Sequence, residues 1–450
     1  GFFSMQIRKT PIAAIVAALI PQVAIASQSA SSVKECLSLE PKMAQACASR
    51  LDPFSRVYRT ADGTISVTSN FKPKGAYADY FDGNKDLSSP LAIKALENEG
   101  MILLAKAGPV DAEDLAYELE LKAVPDKSAD ARGAVMFSTQ GPDVSGRDIL
   151  TWYHKQRLGQ GYIATLSATH GFSDLRSPSK DGSYESFFAD LEKAYTFGLV
   201  NLSYSYTDNK AGGDTLIYVL GGETQRFSAS LSNWHRKAWR FTQKLEHTTR
   251  EQEMGVFDLY TRQRYTSGIL EGAYDEGGVS VQVKGKKGVD GNQEMNLLPL
   301  LGTFNPHYWS LNANATGSFR LTEKTLLKAR VEGFKGSIDM PSSERIGLGG
   351  MGAGSSHESG LYSGYKGAQN ELAISYSLLA GDRYSVTGRI GTNGADIRTA
   401  LDQGIRLQSA EVGLDIAYGS WSIGTTYSKS IMTHGLEADQ RVNAQLVWRY

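Results

Sequence analysis

The sequence predicts an all-β fold, a transmembrane outer-membrane barrel of about 16 antiparallel strands preceded by a small N-terminal α+β region. Three observations predict it. The first is the segment 441–450, in which Arg441, Asn443, Gln445 and Arg449 fall on one parity and Val442, Ala444, Leu446, Trp448 and Tyr450 on the other, with Val447 the apolar exception. A strand sends alternate side chains to opposite faces, so this segment has one face for water and one for hydrocarbon. The second is the recurrence of that pattern upstream: Val200, Leu202, Tyr204 and Tyr206 oppose Asn201, Ser203 and Ser205, and Val279, Val281 and Val283 oppose Ser280, Gln282 and Lys284. The third is composition, with 47 glycines for turns, 22 tyrosines against 16 phenylalanines for membrane interfaces, and only 13 prolines.

Bulk properties narrow the alternatives. The 47 basic and 48 acidic residues give a formal charge of -1, which supplies no concentrated basic surface for nucleic acid. A mean hydropathy of -0.30 excludes a helical membrane protein but not a barrel with a polar interior. A soluble sandwich is disfavoured because nearly every segment has one small, polar side and one thin, tyrosine-rich side. Runs such as 225–235 and 239–247 also meet the 9 to 11 tilted residues that a spanning strand needs.

In chain order, residues 5–26 read as a signal peptide. Arg8 and Lys9 precede the apolar run 12–19, and Ala24-Ile25-Ala26 has the small-x-small cleavage pattern. Residues 27–115 form a mixed region, read as a small periplasmic domain, a plug in the lumen, or both in part. Its elements are a short helix over 34–50, a second helix over 90–99 with Pro90 at its first position, an apolar piece over 101–104 and a helical segment over 111–117. Cys36 and Cys47 are the chain's two cysteines and, in an oxidising compartment, could close a small loop as a disulfide. The seven histidines are scattered, so no metal site and no cofactor is expected.

The barrel is assigned to 116–450, beginning with a strand at 118–124. Lys284, Lys328, Arg330, Glu332, Arg441 and Arg449 are candidates for the lumen lining, because each alternates with apolar neighbours. The terminal aromatics Trp448 and Tyr450 make a candidate C-terminal signal for barrel assembly machinery. Two segments break the meander. One is 297–307, whose prolines read as an apolar loop. The other is 346–367, with eight glycines, among which Gly349, Gly350, Gly352, Gly354, Gly360, Gly364 and Gly367 define a candidate gating loop.

The pattern Leu348-Gly349-Gly350, the stretch 360–367 and then Glu371-Leu372 resembles the signature region of the outer-membrane transporters of two-partner secretion. These are the haemolysin secretion and activation proteins of the Omp85 superfamily, and the resemblance covers roughly 115–450. It implies a 16-stranded barrel with a long sixth loop folded into the lumen, and a periplasmic POTRA domain that receives an unfolded exoprotein. The space ahead of the barrel fits one divergent POTRA domain rather than two. The family loop carries a Val-Arg-Gly-Tyr/Phe motif, for which this chain has Ala353, Gly354, Ser355 and Ser356. Its Phe-x-Asp-x-Gly wall motif falls on Ile390, Thr392 and Gly394, so both charges of the loop-to-wall contact are expected to be missing together.

The function expected is an outer-membrane pore that secretes a partner exoprotein. Its partners would be outer-membrane lipid, that exoprotein and the assembly machinery. The alternatives are a diffusion porin for small solutes and a structural or assembly barrel without transport. Ser355, Ser356, His357 and Glu358 are adjacent but lack a Gly-x-Ser-x-Gly elbow, and sequence neighbours do not by themselves make a catalytic triad, so no enzyme is expected.

Overall fold

A spanning strand in lipid has no water for its backbone N–H and C=O groups, so every strand must pair on both edges. In the computed structural model this constraint is met by sixteen antiparallel strands closed into one barrel. They are β1 (Ala131–Ser138), β2 (Asp148–Gly159), β3 (Tyr162–Phe172), β4 (Ser183–Tyr195), β5 (Gly198–Lys210), β6 (Gly221–His235), β7 (Trp239–Met254) and β8 (Leu259–Glu276). They continue as β9 (Val279–Met295), β10 (Trp309–Arg320), β11 (Thr325–Gly336), β12 (Lys366–Ala380), β13 (Tyr384–Arg398), β14 (Gly404–Tyr418), β15 (Trp421–His434) and β16 (Gln440–Arg449).

The structure describes most of 131–450, with 142–146, 173–181, 211–220, 236–237, 255–258, 296–303 and residues 277 and 382 outside the described residues. Ahead of the barrel it describes four strands and a few helical residues. The proposed leader, Cys36, Cys47 and the helix at 34–50 lie outside the described residues, as does most of the proline-containing loop at 297–307.

The connections 160–161, 196–197, 236–238, 277–278, 321–324, 381–383 and 419–420 all fall at one end of the barrel, and the longer ones, including 337–365, fall at the other. Short turns mark the periplasmic end of such barrels. Near that end Phe197, Trp239, Tyr384, Tyr418, Trp421, Trp448 and Tyr450 are exposed on the outer face. Their rings group as an interfacial girdle, with Trp421 5.9 Å from Trp448 and Trp239 4.9 Å from Tyr274.

Alternation sorts the wall as the sequence pattern requires. On β16, Val442, Leu446 and Trp448 are exposed to the outside while Arg441 and Asn443 are buried inside. The residues Val200 to Tyr206 lie in β5 and Val279 to Lys284 in β9.

Closure joins β16 to β1 over the pairs from Gln445↔Ser138 to Arg449↔Ala134. Beyond them, Gly133 N–H donates to the Tyr450 carbonyl and Tyr450 N–H to the Gly133 carbonyl, both at 3.0 Å. The Tyr450 ring then lies over Gly133, where a Cβ would stand 2.3 Å from its Cζ. Its hydroxyl accepts from the Trp152 indole at 2.8 Å and lies 3.2 Å from His154 Nδ1. Tyr450 therefore ties the last strand to the first two.

Before the barrel, Ser55–Arg59 pairs with Ile65–Ser69, and Met101–Pro109 pairs with Tyr117–Pro125. The segment expected to open the barrel at 118–124 thus belongs to a separate hairpin, and the first barrel strand begins at Ala131. Tyr117, expected at the end of a helical piece, is in a strand. Leu91, Lys94, Ala95 and Asn98 are helical, within the helix expected over 90–99. This piece meets the barrel's inner wall near the short-turn end. Lys94 pairs with Glu192 at 3.0 Å, and Ala95 and Leu91 pack with Ala194 and Leu199.

Replacing Gly133 by valine should drive the Tyr450 ring from its seat at a cost of roughly 1–3 kcal/mol. The temperature at which the folded barrel band converts to the unfolded band in SDS gels should fall. An unchanged transition would show that Tyr450 does not fasten the seam.

Candidate functional site

The connection 337–365 between β11 and β12 turns into the lumen. Within it Ile346–Leu348 pairs with Tyr362–Gly364 as a small hairpin, so the glycine-rich segment is ordered rather than a plain coil. Alternation makes most of the inner wall polar, but Ala395 and Ile397 of β13 and Ile405 and Leu407 of β14 are apolar on the inner side. These four close with Ile346, Leu348 and Ala353 into a buried cluster that seats the hairpin. Burying a side chain such as Leu348 contributes about 1.5–3 kcal/mol.

Glycine is needed at the tip for two reasons. Gly349, Gly350, Gly352, Gly354 and Gly360 all have positive φ, a backbone region that side chains disfavour. Gly354 also lies so close to the wall that a Cβ would be 2.2 Å from Leu407 Cδ2. Gly352 reaches the lining, where a Cβ would stand 3.3 Å from both Arg330 and Glu371. Gly364 lies in the small hairpin and Gly367 in β12, so the loop ends before the last glycine assigned to it.

Hydrogen bonds fix the tip to β13, β14 and β15. Asn393 Oδ1 accepts from the backbone N–H groups of Gly354 at 2.9 Å and Ser355 at 2.8 Å. Its Nδ2 donates to Ser355 Oγ at 3.0 Å and to Glu411 Oε2 at 2.7 Å. Ser356 N–H donates to Ser409 Oγ, and Ser356 Oγ lies 2.7 Å from Ser409 Oγ and 3.0 Å from Ser430 Oγ. His357 Nε2 donates to the Glu437 carbonyl at 3.0 Å, leaving Nδ1 beside Ser356 Oγ.

This corrects the expected wall contact in two ways. Ile390, assigned to the wall motif, is 59% exposed and faces outward, as does Thr392 on the same parity. A register error of one residue moves a side chain to the opposite face of a strand. The residue that meets the loop is Asn393, and a carboxylate does remain beside it, Glu411, whose charge is met by Arg389 of β13 at 3.6 Å. The loop arginine is absent, and its place is taken by backbone and hydroxyl groups.

The base of the loop is held differently. A 3-10 turn at Ser342–Glu344 places Glu344 against β6, β8 and β9. Its carboxylate accepts from Lys286 at 2.6 Å, Tyr265 at 3.1 Å and Arg226 at 3.3 Å. Lys286 also donates to Glu246 at 2.7 Å, and Arg250 to Ser342 Oγ at 2.6 Å. Met340, Tyr265, Phe304 and Tyr308 pack beside this cluster. Since β8 and β14 stand six places apart in the ring of sixteen strands, the loop crosses the lumen from one wall to another.

The six lining candidates fall on the inward parity of β9, β11 and β16. Lys284 stands opposite Glu271, Arg330 pairs with Glu332, and Lys328 is exposed to the lumen. Arg441 is buried and donates to the Gly141 carbonyl at 2.8 Å, while Arg449 donates to Ser422 at 3.2 Å. Trp448 and Tyr450 point outward. Ser355 and Ser356 are buried at the tip, where they bond to Asn393 and Ser409. Among the described residues no group of histidine, cysteine and acidic side chains is arranged to hold a metal ion.

Sequence reasoning did not find Asn393, Ser409, Glu411, Glu344 or Lys286. A usable signal was the run of inward apolar residues at 395, 397, 405 and 407, which marks a covered patch of a wall that otherwise stays wet.

No protein-family profile matches the sequence, and no curated protein matches it. Solved structures do match in fold. CdiB from Escherichia coli aligns at 16% identity and a TM-score of 0.65 over 94% of this chain and 89% of that one. CdiB from Acinetobacter baumannii aligns at 12% identity and a TM-score of 0.61, covering 91% of this chain and 81% of that one. BamA from Haemophilus ducreyi lacking POTRA domains 1–3 aligns at 10% identity and a TM-score of 0.56, covering 91% and 93%. The fold is therefore the closed antiparallel barrel of 16 strands that these structures share.

A cysteine placed at Ser356, which is fully buried, should resist a membrane-impermeant maleimide. Adding Asn393→Ala removes both acceptor bonds to the tip, a loss of about 1–3 kcal/mol, and should expose the thiol. Equal labelling in both proteins would mean that the tip does not rest where the hydrogen bonds place it.

Proposed function

We propose that this barrel is an outer-membrane pore through which an unfolded partner polypeptide is secreted, a divergent transporter of the two-partner secretion kind. The observation that carries the reading is the loop 337–365, bonded to both sides of the lumen inside a 16-strand barrel. Its loop signature and its likeness to the CdiB barrels support the same reading.

The physical task of such a pore is to spare an extended chain from hydrocarbon, and a polar wall does that without any nucleotide chemistry. Below the loop, Ser385, Thr387, Asp415, Ser422, Gly424, Gln445 and Arg449 line a recess of about 260 Å³ near the short-turn end. Hydroxyl and amide groups there offer hydrogen bonds to the backbone of a passing chain of any sequence. In this reading residues 27–115 serve as the periplasmic receiving region, and the helical residues Leu91, Lys94 and Ala95 narrow the entrance by resting on β4 and β5.

At rest the loop closes the lumen, which favours a secretion pore over a diffusion porin, whose channel stays open. Deleting 346–364 should raise single-channel conductance in planar bilayers severalfold, and an unchanged conductance would remove the closing role. Where a neighbouring gene encodes a large exported repeat protein, co-expression of the two should release that protein into the medium, and loss of the barrel should leave it in the periplasm. Release that does not depend on the barrel would exclude this function.

A further inference from the structure

The two attachments of the loop differ in chemistry. At the tip the loop contributes backbone N–H groups, two hydroxyls and a histidine, and the carboxylate they touch, Glu411, already has Arg389 from the wall. At the base the loop offers the wall a full negative charge, Glu344, while the adjacent Arg345 donates back to the loop's own Ile338 and Met340 carbonyls. Glu344 is met by Lys286 and Arg226, whose side chains sit with it at 6%, 31% and 9% exposure for Lys286, Arg226 and Glu344 respectively.

The wall around this base carries an excess of positive charge. Arg226, Lys244, Lys286 and Arg250 are there, and Glu246 is the wall's own carboxylate beside them. Withdrawing Glu344 would leave four buried or half-buried cations against one anion. Water can replace the hydrogen bonds lost at the tip, but a desolvated charge that loses its partner is far harder to compensate. Packing of Met340 against Tyr265, Phe304 and Tyr308 adds to the hold at the base.

We propose that Glu344 is the positioning residue of the loop, an ionic anchor that stays seated on Lys286 and Arg226 while the tip leaves Asn393. Opening would then be a swing of 346–364 about a fixed base rather than expulsion of the whole loop. The anchor has the reverse polarity of the motif missing from the tip, with the acid on the loop and the bases on the wall. This rests on the reading that the loop closes the lumen.

The test uses the full chain in planar bilayers, with the 346–364 deletion as the open reference and heat-modifiable gel mobility to confirm a folded barrel. Asn393→Ala should give brief openings that return to the closed level. Glu344→Gln should raise the open fraction by at least about tenfold and lose the stable closed level, whereas Glu344→Asp, which keeps the charge, should restore closure. Arg226→Gln reads the same contact from the wall if the Glu344 variant does not fold.

An open fraction for Glu344→Gln within about twofold of the parent, while the deletion opens the pore, would overturn the anchor and leave the closing role intact. Equal effects of Gln and Asp would also overturn it, because fit rather than charge would then hold the base. A deletion without effect would remove the closing role, and the anchor's function with it.

Discussion

Everything in this molecule follows from the requirement that no backbone group face lipid without a partner. An open sheet of amphipathic strands would leave two unpaired edges, so the last strand has to find the first. Here the match is completed by Tyr450, whose backbone exchanges two hydrogen bonds with Gly133 and whose ring occupies the space left by that glycine. Closure also fixes which parity points inward. It is this that makes a wet interior available and gives the loop an inner wall to rest on.

Inside that cylinder, charge and apolar surface are distributed unevenly. The wall from β6 to β9 carries the ionic cluster around Lys286, and the wall from β13 to β15 carries an apolar seat and hydrogen-bonding groups whose ion pair, Glu411 with Arg389, lies within the wall itself. A segment lying between them can therefore be strongly held at one end and lightly held at the other. The helical residues near Lys94 rest on yet another part of the ring, β4 and β5, so the recess lined by Thr387, Ser422 and Arg449 stays clear of them.

Period-two alternation made the barrel legible from sequence, and it did so most clearly where the outer face is continuous, as in Val200 to Tyr206 and Val442 to Tyr450. It was less reliable at the entrance, because the alternating stretch 118–124 pairs with 101–109 instead of joining the barrel, and the same pattern serves any half-buried hairpin. The glycine-rich segment stood out by composition. The wall residues that hold the loop did not, since they are polar residues scattered over several strands, and nothing local distinguishes Asn393 or Lys286 from other lumen-facing residues. Matching the wall motif by its glycine placed it one residue out of register, which in a strand is an error of face rather than of degree. Glu344 escaped notice because it lies upstream of the glycines, in a turn whose role depends on a wall more than fifty residues earlier in the chain.

The small charge on the tip carries one more consequence. A transmembrane voltage does work only on charge that moves through it, at about 2.3 kcal/mol per elementary charge per 100 mV. The swinging segment 346–364 holds one acidic side chain, Glu358, and no lysine or arginine, while the ions Glu411 and Arg389 belong to the stationary wall. An electric field therefore acts on the swinging segment through a single carboxylate, whereas a mechanical push from an arriving chain bears on the whole segment and is better suited to displace it than polarisation of the membrane.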